Sequence, residues 1–461
     1  MRTQGKYFLV NFGCQMNVLD AERMEGILIG KGFTAAEKLE DADIVLINSC
    51  SVREKPERKA LSLLGRLCKQ KIERPALILG FCGCVAEQYG GKLLERFPGL
   101  NFVLGTNRVA HLGEVLEQAE QGPKVVKTGW AGETELDCLF AVSRDRPVRK
   151  VSAFVTIMEG CDNFCAYCVV PYVRGPERSR KPSEVVAEIR ALASRGVKEV
   201  VLLGQNVNSY GIKRGLGVEF ADLLGMAAKV KGIERIRFTT SHPKDLSDKL
   251  ISVMADQEKI CEQIHLPLQA GSDRVLKLMG RGYTAKQYLG LVHKLRAAMP
   301  EIGISTDLIA GFPGETDEDF QRTLDMVQEI QFDEAFTFRY SARPQTRAGQ
   351  YPEQVPEEVR LERLWRLEKL VADITEKKNQ AQVGKVEEIL LEEVSKTDPE
   401  KLTGRSREGR LVHIARKGAE GCLGELVLVR IERGLKHSLL GELLERVDNI
   451  GWQREEQCLS R

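Results

Sequence analysis

The chain has 461 residues, 43% apolar and 29% charged, with a formal net charge of +2. That length allows two or three domains with large cores, and the balance is that of an ordinary soluble protein. Overall charge does not point to an RNA partner, so any basic footprint is local. No apolar run approaches the ~20 residues that span a bilayer, and MRTQGKYFLVNFGC lacks the apolar length and the small-residue cleavage site of a signal peptide. Cytoplasmic residence without a membrane is the expectation, and there clustered cysteines bind metal more often than they pair.

Residues 1–145 read as alternating strand and helix. The strand KYFLVNFGC precedes the helical VLDAERMEGILIGKG; DADIVLINSC precedes REKPERKALSLLGRL; ALILGFCGC is a third strand. Short apolar strands alternating with helices imply a parallel sheet with covered faces. Each run ends in a cysteine, Cys14, Cys50 or Cys84. The carboxyl ends of parallel strands share one edge, where ligands bind, so these three residues converge. On the residues alone, a three-thiolate ligand set and three buried cysteines packed as small hydrophobes are equal readings. Cys82 competes with Cys84 for the third place. The polar SRDRPVRK of residues 143–150 reads as a linker, and Cys138 as structural or incidental.

Residues 150–375 open with the strand VSAFVTI and then GCDNFCAYC, where Cys161, Cys165 and Cys168 stand as Cys-x-x-x-Cys-x-x-Cys. With 12 cysteines in the chain, about 0.01 such triplets are expected by chance. Thiolates this close repel unless a cation lies between them. A structural zinc wants four ligands, whereas three suit a [4Fe-4S] cluster whose fourth iron stays open to a non-protein ligand. The later strands EVVLLGQN, RIRFTT, QIHLPLQ, GISTDLIAGF and EAFTFRYS, with helices between them, suggest an incomplete (β/α) barrel with its site at the carboxyl ends. Polar and glycine residues recur there: Gly204, Gln205 and Asn206, then Ser241 and His242, then Gln269, Gly271 and Ser272, then Gly314 and Glu315. Together they look like a lined pocket, with His242 and His265 read as hydrogen-bonded core histidines. Arg174, Arg178, Arg180 and Lys181 suggest a landing place for phosphates or carboxylates, or else a solvated lead-in to a helix capped by Ser183.

Residues 381–446 read as short strands separated by turns, an all-β module with 12 basic and 12 acidic residues and no Phe, Tyr or Trp. Its cations cluster at Arg405, Arg407 and Arg410, so RNA binding would lean on backbone and shape rather than base stacking. The tail GWQREEQCLSR, with Cys458, is expected to be disordered.

The motifs resemble the methylthiotransferase family of radical S-adenosylmethionine (SAM) enzymes over most of the chain. They are NFGCQMN around Cys14, NSCSVRE around Cys50, GCVAE around Cys84, and the Cys161 triplet. The resemblance implies an α/β protein: an N-terminal parallel-sheet domain, a central partial (β/α) barrel of the radical SAM type, and a C-terminal TRAM β-barrel that binds RNA. It implies two [4Fe-4S] clusters, the SAM-binding one on Cys161, Cys165 and Cys168 and an auxiliary one on Cys14, Cys50 and Cys84, with Cys82 left to packing. Tyr167 falls at the superfamily position near the SAM adenine, Gly204, Gln205 and Asn206 at the motif for its amino group, and Gly314 and Glu315 at that for its ribose or adenine. The implied reaction is methylthiolation of C2 of N6-dimethylallyladenosine at position 37, beside the tRNA anticodon, and SVREKPE resembles that branch. Rival readings are a threonylcarbamoyl-adenosine in tRNA, a ribosomal-protein aspartate, and an RNA-binding iron–sulfur electron carrier without catalysis. Implied partners are the tRNA anticodon stem-loop and an electron donor such as a flavodoxin-type protein, acting on a monomer. YSARPQTRAG departs from the family, with Gln345 and Arg347 where a glycine and a proline are frequent.

Overall fold

The computed structural model describes residues 5–52, 54–130, 132, 151–213 and 215–447. The linker at 143–150, Cys138 and the tail with Cys458 lie outside the described residues. No helix among the described residues is long and apolar enough to cross a membrane.

The first unit is a parallel sheet of β1 (Lys6–Phe12), β2 (Thr34–Ala35), β3 (Ile44–Ser49), β4 (Ile78–Gly83), β5 (Phe102–Leu104) and β6 (Val125–Lys127), in the order β2-β1-β3-β4-β5-β6. The three apolar runs of the sequence are β1, β3 and β4, the middle of the sheet. Strands β2, β5 and β6 have two or three residues each, too few to show a period. Separate apolar clusters cover the two faces, one around Met24, Leu46 and Phe102, the other around Ile47, Leu64 and Phe81.

The second unit holds β7 (Ser152–Thr156), β8 (Met158–Glu159), β9 (Arg178–Ser179), β10 (Glu199–Leu203), β11 (Arg235–Phe238), β12 (Gln263–His265), β13 (Gly303–Ala310) and β14 (Glu334–Arg339). Parallel sheets β7-β10-β11 and β12-β13-β14 meet at a parallel bridge between Ile236 and Ile260, giving an open barrel of six strands. One continuous core fills it. The helix after β9 begins at Pro182, with Lys181 rather than Ser183 at its cap, because proline's fixed φ and missing N–H suit the first helical turn. Near the end of β13, Glu315 accepts from the Gly311 amide and pairs with buried Arg363 of the helix Glu357–Gln380 at 2.8 Å.

The third unit is a closed barrel, β15 (Val386–Val394), β16 (Lys401–Ser406), β17 (Leu411–Ala415), β18 (Leu426–Gly434) and β19 (Leu439–Arg446). It sits on the amino-terminal edge of the open barrel, opposite the cysteine loop. Buried Arg235 donates to the carbonyls of Arg405 and Glu388, and Arg237 to those of Ser406 and Arg407 while also pairing with Glu199. Two of the three arginines expected to meet RNA are spent in this seat. Arg407 pairs with Glu262 at 2.7 Å and Arg410 with Asp333 at 3.2 Å; of the three, Arg405 is the most open to solvent, at 42% exposed. A run of cations in a sequence does not reveal whether it faces water or another unit.

Two outcomes follow from these contacts. Arg237→Ala leaves Glu199 buried without its partner, which should cost roughly 3–5 kcal/mol; an unshifted urea midpoint for the joined central and C-terminal units would contradict the seat. Burial pushes the Glu315 carboxyl from an ordinary 4.5 up to about 7, against the Gly311 amide and Arg363. Between those values the folded chain keeps a proton that the unfolded chain has lost, so this group makes stability fall as pH rises. Glu315→Gln should flatten the pH dependence of the urea midpoint across that window, and a parent-like slope would rule the effect out.

Candidate cofactor and substrate site

Strands β1, β3 and β4 end level, with Phe12 beside Ser49 and Ser49 beside Gly83. The next residues include Cys14, Cys50 and Cys84, so register delivers all three to one edge. Two turns there require glycine. Gly13 has φ +139° and its missing Cβ would collide with the Cβ of Cys50; Gly83 has φ +90° and would strike Asn48 and the Ser49 carbonyl. A buried amide network fixes the strand ends: Asn17 donates to the Ser49 carbonyl at 3.0 Å, and Asn48 to Asn11 Oδ1 at 2.9 Å and to the Asn17 carbonyl at 2.7 Å. The three thiols share one buried site, and their mutual influence lowers Cys14 from 9.0 to about 6, lowers Cys84, and raises Cys50. Cys82 packs in the apolar cluster below the sheet, and burial alone drives its thiol strongly upward.

Four buried charges join this edge to the central unit. Arg174 pairs with Asp20 at 2.7 Å and with Glu159 at 3.0 Å, and Arg23 lies between the same two carboxylates. Arg180 is buried against Glu188 at 2.6 Å. Arg174 and Arg180 are therefore internal braces and not a landing place for anions; Lys181 alone of the expected group is well exposed beside Glu184. The charge of Arg174 also helps to lower the Cys14 and Cys84 thiols.

The antiparallel pair β8–β9 brackets the loop that carries Cys161, Cys165 and Cys168. Gln205, at the end of β10, accepts from the Gly160 amide at 2.5 Å, and Gly204 packs on Met158. Arg347 donates to the Phe164 carbonyl at 2.9 Å and the Ala348 amide to the Ala166 carbonyl at 2.9 Å. The segment that departs from the family pattern thus braces the cysteine loop. Gln345 there has φ +69°, the left-handed region that favours glycine. Buried Arg281 donates to Cys165 Sγ at 3.4 Å, to the Pro267 carbonyl and to Tyr283, and no carboxylate among the described residues pairs with it. His242 is buried and held neutral, and His265 bonds Ser305 at 3.0 Å and Asp307 at 3.4 Å.

A cavity of about 1410 Å³ opens between the first and second units, and of the six cysteines Cys168 alone reaches its wall. Gly13 and Val52 line it from the first unit, Tyr167, Cys168 and Gln269 from the second. Gly204, Gln205 and Asn206 lie behind the cysteine loop, not on this wall. Gly314 and Glu315 are also off it, the carboxyl being held by Arg363 and Gly311. All six expected ligand cysteines are free thiols. No three His, Cys, Asp or Glu side chains among the described residues close on a single metal ion; two all-thiol sets of three suit clusters whose thiolates sit on separate irons. Buried Gln205 Nε2, Asn206 Oδ1 and Ser241 Oγ have no partner, polar atoms fitting a zwitterionic ligand beside Cys161. Sequence reading passed over Asn17, Asn48 and Arg281. The asparagines were visible as polar residues inside the cysteine motifs, but Arg281 carries no local signal.

Three family models match: the Radical SAM superfamily over residues 155–327, the Uncharacterized protein family UPF0004 over 6–105, and the TRAM domain over 380–444. The chain is 47% identical over 440 residues to the tRNA-2-methylthio-N(6)-dimethylallyladenosine synthase of Carboxydothermus hydrogenoformans, covering 95% of this chain and 99% of the relative. With that of Clostridium beijerinckii it shares 46% over 439 residues, 95% of each. The fold resembles the radical S-adenosylmethionine methyltransferase TsrM from Kitasatospora setae, at a TM-score of 0.52 and 14% identity, covering 75% of each chain. Motifs, geometry and relatives agree, and the chain belongs to the family of tRNA-2-methylthio-N(6)-dimethylallyladenosine synthases.

Proposed function

We propose that this enzyme installs a methylthio group on C2 of N6-dimethylallyladenosine at position 37 of tRNA. One observation carries the reading: a cavity of nucleotide-accommodating size is walled on one side by Gly13 and Val52, beside the cysteine turns of the first unit, and on the other by Tyr167 and Cys168 of the second cysteine loop. The C2–H bond of an adenine is not opened by any side-chain base at neutral pH, and a [4Fe-4S] cluster with SAM supplies the carbon-radical chemistry that such a bond needs.

In this reading Cys161, Cys165 and Cys168 hold the SAM-binding cluster, and Cys14, Cys50 and Cys84 hold a second one, the place for sulfur. The partnerless Gln205 and Asn206 atoms receive the polar end of SAM, and Tyr167 packs near its adenine. Arg281 supplies a buried positive charge that an anionic cluster site balances. The reacting nucleotide swings out of the anticodon loop into the cavity, whose walls exclude water and fix its position. Residues 1–145, 150–375 and 381–446 serve as sulfur-carrying, radical-generating and RNA-binding domains. One-electron chemistry also needs a reductant, and a flavodoxin-type protein is the reading for it.

Nucleoside analysis of tRNA from a deletion strain should show the 2-methylthio form lost and N6-dimethylallyladenosine accumulating; an unchanged profile, or a change in a ribosomal protein instead, would reject the assignment. Anaerobically reconstituted protein should carry about eight irons, and a triple Cys161, Cys165, Cys168→Ala variant roughly half of them. Cys14→Ala, Cys50→Ala and Cys84→Ala should each still cleave SAM to 5′-deoxyadenosine while forming no methylthiolated product. Cys82→Ala should form product at close to the parent rate; an inactive Cys82 variant beside an active Cys84 variant would exchange their roles.

A further inference from the structure

The helix Glu54–Gln70 forms one side of the cavity mouth. Its charges are sorted by face. Glu54 reaches inward to Arg339 at 3.4 Å and Ser341, and Glu57 to Arg343 at 2.8 Å and Tyr89. These bonds clamp the first unit to the end of β14. They also bury Glu57 and commit Glu54, 36% exposed at the mouth, to partners on the second unit.

The other charges at the mouth on this helix are basic. Lys55, Arg58, Lys59 and Arg66 are exposed and all line the mouth. Their spacing of three, four and seven residues puts them on one helical face, with Ser62 between them. Arg58 lies 3.7 Å from Glu54 yet its side chain is 76% exposed, and Lys55, Lys59 and Arg66 pair with no carboxylate among the described residues. From 55 to 66 the stripe runs about 16 Å at 1.5 Å per residue, a length that meets several successive phosphates. The C-terminal barrel offers no equivalent here, because it is seated on the opposite edge of the central unit and buries Arg407 and Arg410 in that seat.

From these observations we infer that the outer face of the helix Glu54–Gln70 is the docking surface for the RNA backbone next to the reacting nucleotide. The inference rests on the tRNA reading above and names the surface that holds that substrate. Cations beside a cavity mouth bind a polyanion without reading its sequence, so the face positions the loop while the cavity selects the base. Salt dependence is the signature of such contacts.

The test measures binding of full-length, cluster-reconstituted protein to tRNA bearing N6-dimethylallyladenosine, by fluorescence anisotropy over a series of salt concentrations. Lys55→Gln, Lys59→Gln and Arg66→Gln combined should weaken binding roughly tenfold or more and reduce the slope of log affinity against log salt by about 2 to 3. The charge-keeping set Lys55→Arg, Lys59→Arg and Arg66→Lys should retain the parent slope, which separates charge from helix damage. A parent protein that binds no tRNA would overturn the functional reading itself. Parent binding with an unaltered slope in the glutamine variant would overturn only the docking face, as would a loss of slope confined to variants of the C-terminal barrel.

Discussion

The arrangement depends on one buried ion network, Asp20, Arg23, Glu159 and Arg174. Each member lies within nine residues of a cysteine: Asp20 and Arg23 follow Cys14, Glu159 precedes Cys161, and Arg174 follows Cys168. Charges removed this completely from water are costly unless they meet in good geometry. The network therefore acts as a key, satisfied when the two units dock in one orientation. The cysteine segments themselves carry the groups that make them face each other. Arg174 has a second effect, since its field favours the thiolates of Cys14 and Cys84.

The parts legible in the sequence were those written in local pattern. Three apolar runs ending in cysteine became the three central strands, and Cys-x-x-x-Cys-x-x-Cys became a loop held between β8 and β9. The parts that were not legible depend on what a charge faces. Arg174, Arg180, Arg407 and Arg410 read as cations open to anions or solvent because periodicity records hydrophobic burial and is silent about ion pairs. Glu315 ends a strand on the functional edge, and the partner that holds it, Arg363, lies 48 residues on and leaves no mark in local pattern. Strands β2, β5 and β6 exist through pairing with neighbours rather than through any pattern of their own.

The central unit divides its labour between its two ends. Carboxyl ends of its strands hold the cysteine loop, the partnerless polar atoms behind it and the wall of the cavity. Amino ends hold the starts of β10, β11, β12 and β13, where Arg235, Gln263 and Gly303 meet the small barrel and Glu199 holds Arg237 toward it. Partial barrels in general keep chemistry at one rim and stability at the other. Here the stability rim has been enlarged into an interdomain joint, which leaves the opposite rim free to be bounded by the first unit.

That joint is addressed largely to main-chain oxygen. Arg235 and Arg237 reach the carbonyls of Arg405, Glu388, Ser406 and Arg407, and Arg407 returns to those of Glu258 and Ile260. A carbonyl is present whatever side chain its residue carries. Inherited changes on the small barrel can therefore accumulate at Arg405 or Ser406 without releasing it, and the module is free to drift in surface chemistry from lineage to lineage while its perch on the enzyme stays put.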